Sequence, residues 1–344
     1  MERKELALVV DMYGCPNRCG HCWLGHMENR RMEAGADEWI VNYFRPYFDR
    51  IVYYSWLREP DFCDDYRERW ERDKRLSVNT APQRFELASF WRLVRDPEYV
   101  KFLKEAGVRR VQLTFFGLEG LTDRYVGRRG AFGELLRATE ILIENQIAPR
   151  WQAFITEENK EELTELFHLA KRMGLKEKCA SFQEEFVFFV HAGGCDGENR
   201  KLYPIRIQKP HIPEILKPYY LDYDQVLTEK ECIERLKGDA SHVEYHNGQQ
   251  IVLNISNTFD AYFNFTHMTE PWKIGNLREE APKELVRRAV EEDTWALRQA
   301  KKISAGELAE RYGDGRSERT FSLYDYRAYL LNRYLDDAFA VEQN

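Results

Sequence analysis

CPNRCGHCWLG, residues 15–25, places three cysteines, Cys15, Cys19 and Cys22, within eight residues; the next is Cys63. The run follows LALVVDM (6–12), an apolar, β-rich stretch that reads as the first strand. More strand-like runs follow at 51–55, 76–79, 109–116, 149–155 and 185–191. Helical patterns lie between them. Phe132, Leu135, Leu136, Thr139 and Leu142 keep the i, i+3, i+4, i+7 rhythm, as do Leu163, Leu166, Phe167, Ala170 and Met173, with Gly174 as the stop. Six strands alternating with helices predict a parallel α/β unit with right-handed crossovers. Such a sheet collects ligands at the carboxyl ends of its strands, where the three thiols fall.

The 344 residues allow about two domains. Acidic and basic residues are mixed around a net charge of -7, which argues against a nucleic-acid backbone as partner. No run approaches the roughly 18–20 apolar residues of a membrane span, and MERKELALVV lacks a signal-peptide layout, so a cytoplasmic protein is expected. Seven unevenly spaced cysteines read as metal ligands or free thiols rather than a disulfide framework. A 4Fe–4S cube has four iron corners and three local thiolates leave one open for an exchangeable ligand. Gly14, Pro16 and Gly20 suit a loop folded tightly around it. The rival for the same thiols is a Cys3His zinc clip with His21 or His26, at cramped spacing. A third reading is an iron–sulfur sensor.

C-x3-C-x2-C at the end of a first strand resembles the signature of the radical SAM superfamily, over roughly residues 5–195. The resemblance implies a partial (β/α)6 TIM-like barrel in which one 4Fe–4S cluster, held by Cys15, Cys19 and Cys22, binds S-adenosylmethionine at its open iron. Reductive cleavage then yields a 5′-deoxyadenosyl radical that abstracts hydrogen from a substrate carbon, leading to epimerisation, dehydrogenation, rearrangement or bond formation. It also implies an electron donor such as flavodoxin or ferredoxin. Where the family carries glycine-glycine-glutamate after the second strand, this chain has Leu57-Arg58-Glu59-Pro60, so Glu59 is the candidate for the amino group of the cofactor. His21 holds the position of the aromatic residue near adenine. Gln112 and Thr114 are candidates for the ribose, Arg128 for the carboxylate with Arg124 and Arg129 as rivals, and Asn79 for a contact at the mouth.

Residues 196–344 break the alternation. KLYPIRIQKPHIPEILKPYY (201–220), with four prolines, predicts an irregular segment, 228–238 a short helix, and VEYHNGQQIVLNI (243–255) a hairpin turning at Asn247-Gly248. Helices are expected at 281–302 and 317–340. In outline 243–277 resembles a SPASM/twitch region, but no cysteine follows Cys232, and Tyr262, Asn264, Phe265 and His267 stand at the ligand positions. That implies an α+β cap without an auxiliary cluster. Cys195, after the sixth strand, is a candidate hydrogen donor, with Cys63 a second. The chain starts at the barrel, which favours a small-molecule substrate over a peptide, in natural-product or cofactor biosynthesis. Glu59, Asp61, Asp64, Asp196 and Glu198 suit a substrate carrying amines or hydroxyls.

Overall fold

The computed structural model describes residues 5–342 except 23, 26, 244–249, 265 and 266. The Asn247-Gly248 turn, Phe265 and His26 therefore lie outside the described residues.

β1 (Glu5–Val10) is a buried strand whose two edges pair in parallel with different parts of the chain. After the cysteine loop and α1 (Ala36–Phe44), β2 (Ile51–Tyr54) lies on one edge, Leu8 opposite Tyr53. Then α2 (Tyr66–Leu76), α3 (Phe90–Leu93) and α4 (Pro97–Glu105) lead to a second sheet. It is wholly parallel, in the order β3 (Arg110–Phe115), β4 (Ala148–Phe154), β5 (Val187–His191). α5 (Glu119–Val126) and α6 (Ala131–Glu144) cross from β3 to β4; α7 (Lys160–Arg172) and α8 (Leu175–Ala180) cross from β4 to β5.

The strand expected at 76–79 is absent. Leu76 is the last residue of α2, and Val78 makes a single antiparallel bridge to Ile51 at the amino end of β2. The slot between β2 and β3 is filled by a later irregular segment: Gln83 N–H donates to Tyr54 Oη at 3.1 Å, and Gln112 N–H to Glu86 O at 2.7 Å. A four-residue apolar run carries too little β preference to outweigh the helix that ends inside it. On the far side of β5 a single parallel bridge to Tyr220 takes the last slot. Five regular parallel strands and two irregular fillers thus form the partial barrel.

The C-terminal part is less a cap than an extension. From α9 (Glu229–Leu236), which pairs β6 (Leu227–Thr228) with β10 (Thr320–Phe321) at its base, the chain reaches β7 (Gln250–Ile255). β7 joins the free edge of β1 in parallel, and β8 (Asp260–Phe263) and β9 (Gly275–Asn276) follow antiparallel, giving the order β2-β1-β7-β8-β9. The helix expected at 281–302 is broken into α10 (Pro282–Glu291) and α11 (Trp295–Ala300) by Glu292 in a left-handed conformation. α12 (Ala305–Tyr312) and α13 (Leu323–Glu342) complete the chain. One core joins Leu6, Leu8 and Val10 of β1 with Ile251, Leu253 and Ile255 of β7 and with Leu285, Leu308, Leu330 and Leu331 of these helices. The core therefore crosses residue 195, the boundary drawn from sequence. A second core fills the space between β3–β5 and α4, α6 and α7.

Candidate active site

The cysteine loop leaves β1 at Asp11 and is fastened at three points. Cys15 N–H donates to Asn29 Oδ1 (3.0 Å) and Asn29 Nδ2 to Cys15 O (2.7 Å). Arg18 N–H reaches Val126 O (2.9 Å) and Gly20 N–H reaches Tyr125 O (2.7 Å), at the end of α5. Gly14 sits at φ 89°, and a Cβ there would come within 2.4 Å of Asn29 Oδ1, so the loop turns only with glycine at this point. The third fastening is Arg58, which sequence reasoning passed over. Its guanidinium forks onto Asp11 (3.0 and 2.8 Å) and also donates to Met27 O (3.0 Å) and Glu28 O (3.2 Å). Both side chains are buried, 7% and 1% exposed. A cation standing where the family has glycine, opposite an acid at the end of the neighbouring strand, was the signal available in the sequence.

Glu59, the next residue, is half-buried, and its buried Oε1 lacks a hydrogen-bond partner. Burial raises its carboxyl to about 7, Ser89 and Arg128 pulling the other way. Its charge is felt at Cys15 and Cys19, which puts it beside the thiols. Burial is the main cause pushing all three thiols up, Cys19 to about 12. Arg128 donates from Nε to Asn17 Oδ1 (3.0 Å) within the cysteine loop and pairs through Nη1 with Glu134 (2.6 Å). Its Nη2 is buried and unpartnered. The rival Arg124 is turned outward onto Glu158.

These features fit an iron–sulfur cluster with an amino-acid ligand. Three thiols are held half-buried, where cationic iron would favour their ionisation, and an unpartnered carboxyl oxygen and guanidinium nitrogen lie beside them. Among the described residues no three His, Cys, Asp or Glu side chains form a set closed around one metal ion. A cube asks for wider spacing than a single ion, because each thiolate meets a different iron. His21, the described candidate for a zinc clip, is instead packed between Phe116 (4.6 Å) and Phe154 (4.8 Å), and burial lowers it to about 4.

His21 begins an aromatic wall that continues through Phe154 to His191 (4.4 Å). Asn159, fully buried, ties the wall together: its Nδ2 donates to Phe116 O (2.9 Å) and Phe154 O (2.7 Å), and its Oδ1 accepts from Thr156 N–H (2.7 Å). Gln112 and Thr114 do lie on one face of β3, but both bond Gln152, which bonds His191. Gly193 N–H donates to His191 Nδ1 (3.1 Å), and the Gln152 amide nitrogen is set against His191 Nε2. With the ring held near 4 by burial, His191 is neutral at pH 7.

Behind the wall lies a cavity of about 650 Å³, bounded by His21, Gln152 and His191 on the barrel side and by Asn264, His267, Thr320 and Asp325 from the C-terminal part. Three residues expected near the site, Asn79, Cys195 and Cys63, do not line this cavity. Asn79 donates its Nδ2 to Asp49 O (2.8 Å) at the amino end of β2, opposite the mouth, because the strand meant to carry it does not form. Cys195 is fully buried in the larger core while its neighbours Gly194 and Asp196 line the cavity; Cys63 is likewise buried, in the second core.

Residues 9–170 match the family model of the radical SAM superfamily. Over 79 residues the chain is 34% identical to the AdoMet-dependent heme synthase of Methanosarcina barkeri (strain Fusaro / DSM 804), a match that takes in 23% of this chain and 23% of that protein. Among solved structures it is similar to native anSMEcpe with bound AdoMet and Cp18Cys peptide, at 14% identity over 98% of this chain and 99% of that one, with a TM-score of 0.54. The same protein with Kp18Cys peptide matches with a TM-score of 0.50 at 14% identity, over 99% and 100% of the two chains. The segment 9–170 is thus matched as a radical SAM domain, and that family implies a 4Fe–4S cluster and S-adenosylmethionine.

Proposed function

We propose that this chain is a radical SAM enzyme that binds its substrate in the cavity behind the His21–Phe154–His191 wall. The observation that carries the reading is the joining of two sites by one residue: His21 belongs to the cysteine loop and also lines the cavity. When bound, the cluster and S-adenosylmethionine supply a 5′-deoxyadenosyl radical able to take hydrogen from an unactivated carbon. The protein's part is to hold and orient. Cys15, Cys19 and Cys22 hold the iron. Glu59 Oε1 accepts from the amino group of the cofactor, and Arg128 Nη2 donates to its carboxylate. Asn159 keeps the wall closed, excluding water from the reacting carbon. Thr114 and Gln112 face the ribose only if they leave Gln152, so their hydrogen bonds exchange on binding.

The substrate is a small molecule or a side chain of similar size, which a cavity of about 650 Å³ accommodates. The solved neighbour with a bound peptide supports the side-chain form. A low-potential donor such as flavodoxin or ferredoxin would deliver the electron. Free thiols that must stay reduced favour the cytoplasm, and among the described residues no helix is long and apolar enough to cross a membrane.

The test is anaerobic reconstitution, followed by iron content and assay of dithionite-reduced protein with S-adenosylmethionine. A brown protein with about four irons that forms 5′-deoxyadenosine is expected. In Cys19→Ala that product disappears while the far-UV spectrum is kept. Zinc in place of iron, or 5′-deoxyadenosine surviving in Cys19→Ala, overturns the reading.

A further inference from the structure

The cavity is acidic for a physical reason that the cluster chemistry does not use. Asp196, Asp222 and Asp325 line it, with Arg206 as the one arginine among its described lining residues. Arg206 is already committed: its Nε donates to Thr320 O, its Nη1 to Gly193 O (3.0 Å) and Ala192 O (3.5 Å), and its guanidinium stacks on Phe321 at 4.2 Å. Asp196 is steadied by His267, Nε2 to Oδ2 at 3.3 Å. Asp325, in the first turn of α13, accepts from Ser322 Oγ (2.7 Å). Burial raises the Asp325 carboxyl, Ser322 and Arg206 hold it down, and the charge of Asp196 raises it further; both carboxylates line the one cavity. A second observation is independent of charge. Asn199 is 4% exposed and lines the cavity, and its Oδ1 has no hydrogen-bond partner. Two carboxylates and an unsatisfied carbonyl oxygen are all acceptors, and an acceptor-only seat is completed by a cationic donor.

We propose that Asp196, Asp325 and Asn199 form a seat for a primary ammonium group of the substrate in this cavity. An alkylammonium presents three N–H donors, matching the three acceptors, and its chain would lie along the His21–Phe154–His191 wall. The seat excludes anionic substrates by charge. The inference rests on the reading of this cavity as the substrate site. The ammonium can belong to a free amine or to a lysine side chain.

Ligand-observed NMR titrations on the reconstituted protein test it, with hexylamine against hexanol, and Nα-acetyl-lysine methylamide against Nα-acetyl-norleucine methylamide. At least one amine is expected to bind about 10-fold or more tightly than its uncharged analogue, and to lose about 10-fold in Asp325→Asn and in Asp196→Asn. Preference for hexylamine marks a free amine, and preference for the lysine probe a peptide. Should Asp325→Asn not fold, Asp196→Asn, on a partly exposed side chain, decides alone. Equal binding of amine and analogue, or amine affinity unchanged in the folded variant, overturns the seat. Amine discrimination without 5′-deoxyadenosine formation would fail the enzymatic reading and leave the seat standing; the converse result would do the reverse.

Discussion

The cysteine loop and the cavity beside it are assembled in different ways. The loop draws its three thiols from eight consecutive residues and is clamped by partners from the first two strands and α5. The cavity draws its acceptors from the segment after β5 and from the first turn of α13, about 130 residues further along the chain. The two meet at His21. A loop built locally can be recognised without a fold, whereas a cavity built from distant segments exists only once β7 has docked on β1 and brought the C-terminal part round. The loop is accordingly governed by a few strong polar clamps, and the cavity by the packing behind it.

The largest expected effect is on the clamp. Arg58→Leu leaves Asp11 buried without its partner, at a cost of about 3–5 kcal/mol, and frees the loop. Urea denaturation and iron retention should both fall, while amine binding in the cavity of the folded fraction persists. Loss of amine binding with iron retained would show that the two regions are not separable in this way.

Glu59→Gln probes the same mouth through pH. The folded carboxyl lies at about 7, above its ordinary 4.5, so ionising it works against the fold. For the cluster-free protein this group costs nothing below pH 4.5 and on the order of 3 kcal/mol once pH has risen through 7. Urea midpoints should therefore drop between pH 4.5 and 7, and the drop should shrink in Glu59→Gln. Asp73, raised by burial to about 8, supplies what remains. An unchanged slope would mean that Glu59 is solvated and free of the mouth.

Asn159→Ala acts on the other region. It strips partners from Phe116 O, Phe154 O and Thr156 N–H, for a loss of about 2 kcal/mol. Amine affinity and coupling of cofactor cleavage to substrate should suffer, with iron content kept, the reverse of Arg58→Leu. Iron loss here would place the aromatic wall in the support of the loop. Asn79→Ala closes the series as the smallest change, within about 0.5–1 kcal/mol, with no effect on 5′-deoxyadenosine formation. A fall in that product would return Asn79 to the mouth.

Five of the six expected strands appear close to their predicted places, because each is an apolar run bounded by helical periodicity. The sixth failed at 76–79, where α2 extends to Leu76 and the slot is taken by residues with no alternating pattern. Glu59 and Arg128 were readable as candidates because their positions follow a motif; their unpartnered atoms beside the thiols were not. Asp196 was readable among the acids suited to an amine, whereas Arg58, Asn159 and Asp325 were missed, since each acts through a residue distant in sequence. Cys195 was misplaced for a related reason. Alternation tells which side of a strand a residue takes, and Cys195 lies past the strand end, where the chain turns into the core.

By itself the sequence determined the chemistry of the loop: thiols spaced at four and three residues can gather without help from the rest of the chain. It also determined the alternation of strand and helix, which is a local pattern of burial. Only the tertiary structure decided that β1 carries the C-terminal part on its free edge, that His21 faces a cavity, and that this cavity is acidic. Those facts depend on which distant segments meet, and meeting is settled by the shared core of β1, β7 and the last helices, not by any residue's neighbours in sequence.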